Sequence, residues 1–166
     1  MRDTKLLFLF AVVLLSGSSL FAEEKPTDVD VTQISLERSG GKPGAPRDTL
    51  ILHSDGTAAY VGVENVANIG EYRGRVPDWY DTKSFPQLAE MYRALMGAGL
   101  STGKPTPSVT TITLRVTVNG EEKEIVDLCP GLDERLWGLE MAVRGVAADI
   151  TWEKQPVGNA QLGTPK

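Results

Sequence analysis

Val109–Leu128, VTTITLRVTVNGEEKEIVDL, is the stretch that decides the fold. Ile112, Leu114 and Val116 alternate with Thr111, Thr113, Arg115 and Thr117. A period of two puts one set of side chains in a core and the other in water. Asn119-Gly120 then supplies two residues that tolerate positive φ, as a tight hairpin turn requires, and Glu122 to Leu128 returns as a second strand. Glu121-Glu122-Lys123-Glu124 reads as a charged hairpin edge that discourages strand-to-strand aggregation.

Working outward, the same turn chemistry recurs upstream. Thr49 to Ser54 and Thr57 to Val63 are apolar-rich stretches joined across Asp55-Gly56, a second hairpin. Val31 to Arg38 places Ile34 and Leu36 on one face, and Gly40 to Pro46 stops that strand. A fourth strand falls at Glu71 to Val76, weakened by Gly70 and Gly74.

The period changes at Ser84. Phe85, Leu88, Met91, Tyr92, Leu95 and Met96 recur at three- and four-residue steps, with Ser84 and Gln87 as a capping box and Gly97 and Gly99 as the exit. Leu132, Leu136, Leu139, Val143, Val146 and Ile150 mark a second helix, weakened by Gly138 and Gly145. The expected fold is α+β: a single antiparallel sheet of five to six strands with two helices packed on one face, in the order β-β-β-β-α-β-β-α.

The ends read differently from the middle. Arg2 and Lys5 precede an unbroken apolar run from Leu6 to Leu15, and small residues lead to Ala22, the pattern of a secretory signal peptide over 1–22. The run is too short to span a bilayer, which takes about 20 residues of helix. Residues 23–30 read as a flexible lead-in, 31–152 as one α+β domain and 153–166 as a disordered tail. The expectation is an exported protein, periplasmic or secreted, with no membrane insertion after cleavage.

Charge and inventory exclude several chemistries. The chain has 22 acidic and 17 basic residues; without Asp3, Arg2 and Lys5 of the leader, 21 face 15. Such a surface repels phosphate backbones, which argues against a nucleic-acid partner. Cys129 stands alone, so no disulfide forms within the chain, and at the end of an apolar strand it reads as a packed, inert thiol. With His53 the only histidine, no imidazole or thiolate zinc site can be assembled, and a Ser-His-Asp triad lacks its serine elbow. Ala98 to Pro105 misses the first Gly and the final Ser or Thr of a phosphate-binding loop and follows a helix. No cofactor is implied.

Paired carboxylates remain, since glycoside hydrolysis asks for two of them at roughly 5 to 10 Å. Asp78 and Asp81 bracket Trp79 and Tyr80, and aromatic faces beside carboxylates suit a sugar or a cationic ligand. These four residues form the candidate binding site, against the alternative of two packed rings between solvated turn residues.

Ile34-Ser35-Leu36-Glu37-Arg38, the Gly/Pro loop ending at Pro46, and Ser54-Asp55-Gly56-Thr57 with Tyr60 and Gly62 resemble a family of bacterial exported domains of unknown function. The likeness continues through Phe85 to Leu95, Val116 to Gly120 and a closing helix from Leu136 to Trp152. Members typically carry two cysteines and a tyrosine around the loop, where this chain has Gly41, Ala45 and Asp48. The resemblance implies an α+β fold and export, and no mechanism. The sequence thus reads as an exported, non-catalytic binding or interaction domain for a protein or carbohydrate of the cell envelope. The alternatives are a carboxylate-dependent hydrolase acting on a polysaccharide, and an inhibitor of a secreted hydrolase that presents Gly40 to Pro46 as a rigid loop.

Overall fold

β1 (Val31–Gly40) has partners on both sides, β2 (Arg47–His53) and β5 (Thr110–Val118), and all three pair antiparallel. Ile34 stands opposite Leu52 and Val116, and Leu36 opposite Leu50 and Leu114. None of these six is more than 2% exposed, so the alternation read from the sequence is the core face. The computed structural model describes residues 30–77, 84–96, 100, 102–104, 106 and 108–156.

Both hairpins form where the turn residues place them. Gly56 has φ 79°, and Asp55 accepts hydrogen bonds from the Thr57 amide (2.9 Å) and hydroxyl (2.6 Å) before β3 (Thr57–Glu64). Asn119 and Gly120 have φ 51° and 81° and lead into β6 (Glu121–Asp127). With β4 (Gly70–Arg75) the sheet runs β6-β5-β1-β2-β3-β4, closed at the far edge by β7 (Thr151–Lys154).

Two helices share the core with one face of this sheet. α1 (Ser84–Met96) contributes Leu88, Ala89, Tyr92 and Leu95; α2 (Glu134–Ala148) contributes Leu136, Leu139, Val143 and Val146. Asp133 caps α2 through the amides of Arg135 (3.1 Å) and Leu136 (3.4 Å). Among the described residues the chain is α+β with a single antiparallel sheet and two helices, and the sheet has seven strands, not five or six.

The extra strand corrects the sequence reading of the C-terminal end. Ile150 lies one helical step past Val146 and is buried, so its burial fits a continued helix. The helix instead ends at Ala148, Ile150 enters the core after the turn, and Thr151–Lys154 pairs with Arg75–Tyr72. Ordered structure thus runs past Trp152 through Glu153 and Lys154. Gly74 makes this docking possible: a Cβ there would sit 2.4 Å from Ile150 Cγ2 and 3.0 Å from the Thr151 carbonyl oxygen. The glycine that weakens β4 by propensity is the one that admits its neighbour.

The opposite face is polar and half-buried. Arg115 stands at its centre, bonded to Glu37 (2.8 Å) and Glu124 (2.9 Å), the Glu37 pair running diagonally between the registers of the buried Ser35 and Thr113.

Candidate functional site

Asp78, Trp79, Tyr80 and Asp81 lie outside the described residues, as do residues 1–29, the Gly97 and Gly99 exit of α1 and 157–166. Within the described residues the densest polar chemistry is elsewhere, on the helix side of the sheet.

It follows from the same period of two. Arg38 lies two residues beyond Leu36 and Asp48 two before Leu50, so both point toward the helices at one end of the core, paired in register. Arg38 Nε donates to Asp48 Oδ1 (2.7 Å) and Nη2 to Oδ2 (2.5 Å), a two-pronged guanidinium–carboxylate pair. The Tyr60 hydroxyl, from β3, donates to Oδ2 at 3.2 Å. Asp48 is buried, and its hydrogen bond holds the Arg38 guanidinium above its usual pKa. Desolvation, with the Asp48 charge, likewise raises the Tyr60 phenol.

α2 brings two more charged groups, Arg144 and Glu140, toward this layer, and the end of β6 brings a third, Asp127. Arg144 Nη2 comes to 3.8 Å from Asp48 Oδ1, too far for a hydrogen bond, and the atom is buried without a partner. Burial, and then the Arg38 charge, pull the Arg144 pKa down. One turn earlier Glu140 is 0% exposed, and both its oxygens lack partners. Burial, with the neighbouring Asp127 charge, pushes its carboxyl up to about 7. Asp127, at the end of β6, takes the Cys129 amide on Oδ1 (2.9 Å) and leaves Oδ2 unbonded; desolvation raises it too.

A hollow of about 310 Å³ opens at the edge of this layer, walled by Leu50, Tyr60, Asn68, Arg144, Ala147, Ala148 and Trp152. The Trp152 indole N–H donates to the Ala147 carbonyl (3.2 Å), fixing the ring over the end of α2, and its centroid lies 5.8 Å from that of Tyr60. Tyr72 extends the aromatic row 6.0 Å beyond Tyr60, beneath the Lys154 ammonium. Asn68 reaches the rim because its backbone folds against Gly62, where a Cβ would lie 1.7 Å from the Asn68 carbonyl oxygen. A second hollow, about 380 Å³, is bounded by the Gly40 to Ala45 loop with Arg47 and Glu64, themselves 3.6 Å apart as an ion pair.

Of the other singled-out residues, His53 stands apart from this layer, and Cys129 touches it through its amide on Asp127. His53 ends β2 at the register of Gln33. Cys129 is half-buried under Gly103, whose Cβ would meet its Cβ at 2.6 Å. Among the described residues no group of His, Cys, Asp or Glu is placed to hold a metal ion, and no helix is long and apolar enough to cross a membrane. The sequence reading missed Arg38, Asp48, Glu140 and Arg144. Their signal was periodicity: Glu140 lies four residues after Leu136 and three before Val143, on the apolar stripe of α2. Comparison with known proteins adds no assignment: no family model, curated protein or solved structure matches this chain.

Proposed function

We propose that this chain is an exported, non-catalytic binding module of the cell envelope, akin to the exported bacterial domains it resembles. One observation carries the reading: among the described residues, the hollow next to Asp48 and Tyr60 has no carboxylate in its wall. Asp48 is bound by Arg38 and Tyr60, while Glu140 and Asp127 are buried and line neither hollow. An acid catalyst must come within hydrogen-bond reach of the group it protonates. A wall of guanidinium, amide and aromatic groups binds and orients, and its Tyr60 hydroxyl is already committed to Asp48, itself tied to Arg38.

A second reading, the polysaccharide hydrolase, draws on Asp127 and Glu140: two neighbouring carboxyls, both raised in pKa, are what general acid catalysis uses. Turnover separates the two. The purified protein incubated with envelope polysaccharide should release no reducing ends above a blank; release that disappears in Glu140→Gln or Asp127→Asn overturns the module reading. Export is tested by the N-terminus of the protein recovered outside the cytosol, expected at Glu23; a cytosolic protein that keeps Met1–Ala22 contradicts it.

A further inference from the structure

The geometry points to the hollow between Tyr60, Asn68 and the last turn of α2 as a binding site for a small organic carboxylate with a flat apolar body, its charge on Arg144 and its body against Tyr60 and Trp152. This deepens the binding-module reading and rests on it.

Charge comes first. Two guanidinium groups, Arg38 and Arg144, converge on Asp48, which Arg38 already takes on both oxygens and Tyr60 on one. Arg144 Nη2 is left at 3.8 Å from Asp48, and Glu140, one turn away on the same helix, makes no hydrogen bond to it. Around Asp48 itself two guanidinium groups face one carboxylate, with the Glu140 carboxyl a second acid one turn away, and Arg144, its Nη2 left without a hydrogen-bond acceptor, lines the hollow. A half-buried guanidinium short of acceptors favours an anion, and carboxylate matches its planar fork.

Shape and lining narrow the class. About 310 Å³ is at the lower end of the roughly 300–1,000 Å³ of small-molecule sites, so the occupant is small. Leu50, Ala147 and Ala148 offer an apolar floor, and the Tyr60 and Trp152 rings, tilted 49° to one another, offer a flat wall. Both rings are fixed by their polar ends, Tyr60 on Asp48 and Trp152 on the Ala147 carbonyl, so binding orders little that is not already ordered. Asn68 adds a single amide at the rim. One cation and one amide suit a monoanion.

The test is a ¹H–¹⁵N NMR titration of the full chain with benzoate and phenylacetate, with benzyl alcohol and inorganic phosphate as controls. Both acids should produce saturable shifts at the Trp152 indole and the Asn68, Ala147 and Ala148 amides. Benzyl alcohol and phosphate should bind at least about tenfold more weakly, and Arg144→Gln should weaken benzoate by about tenfold. Asn68→Asp, at an exposed rim position, should weaken benzoate about threefold while the rest of the spectrum stays that of the folded parent. Silence with both acids overturns the site, as does equal binding of benzyl alcohol. Phosphate binding as tightly as benzoate overturns the apolar body. Silence from a protein inert toward polysaccharide removes this site and leaves the module reading standing; polysaccharide turnover removes the module reading whatever benzoate does.

Discussion

Glu140 and Arg144 stand one turn apart on α2, and three of their polar atoms, Glu140 Oε1 and Oε2 and Arg144 Nη2, are buried without a hydrogen-bond partner. Opposite charges at this spacing ordinarily face water and stabilise a helix slightly. Here they are turned inward, and each sits beside a like charge from the sheet: Asp127 for Glu140, Arg38 for Arg144.

The first consequence is a pH-dependent stability. Burial raises the Glu140 carboxyl from its usual value near 4.5 to about 7, so the folded chain keeps a proton that the unfolded chain has already released. Stability therefore falls as pH rises from about 4.5 to about 7, by roughly 3 kcal/mol at most. Asp127, raised mainly by desolvation, acts in the same direction. Urea midpoints at pH 5 and pH 8 should differ clearly in the parent and much less in Glu140→Gln, which keeps the shape and removes the ionisation. An unchanged difference in the variant refutes this role for Glu140.

Asp48 holds two cations together, so its loss should be severe. Asp48→Ala leaves Arg38 and Arg144 facing one another and should cost about 3–5 kcal/mol, whereas Tyr60→Phe removes a single hydrogen bond worth about 1 kcal/mol. Denaturant unfolding of both variants checks the ranking, which equal losses would contradict.

Two glycines should respond oppositely to alanine. Gly145 is exposed within α2 with nothing within 4 Å of a built Cβ, so Gly145→Ala should stabilise by about 0.5–1 kcal/mol. At Gly74 the same change meets Ile150, Thr151 and Trp152 and should destabilise by about 1–3 kcal/mol by pushing β7 away. Thermal midpoints of the two variants should move in opposite directions; a harmless Gly74→Ala would place β7 elsewhere.

Arg115 looks central, bonded to both Glu37 and Glu124, but its ion pairs are on the wet face. Arg115→Gln should cost no more than about 1 kcal/mol, and most of that should vanish in 1 M salt. A larger, salt-independent loss would mean that the face is covered in the working protein.

Much of this architecture is legible in local pattern. The alternation around Ile112, Leu114 and Val116, the Asp55-Gly56 and Asn119-Gly120 turns and the stripe from Leu88 to Leu95 each fix an element from within, because turn conformation and burial period are local properties. β7 is not local: Thr151–Lys154 becomes a strand only because Gly74, far away in the chain, lets it approach. The polar layer was half legible. Period two puts Arg38 and Asp48 on the core face, but only the register of β1 on β2 makes them partners, and only the docking of α2 brings Arg144 above them.

The Glu140 carboxyl is sealed from water, where it neither lines a hollow nor takes up the hydrogen-bonding capacity of Arg144. A ¹³C NMR titration of the glutamate side-chain carboxyls from pH 4 to pH 9, assigned by comparison with Glu140→Gln, measures this directly. The structure predicts a Glu140 midpoint close to 7. A midpoint near the ordinary glutamate value of about 4.5 would mean that the carboxyl meets solvent, and the buried polar layer would not exist.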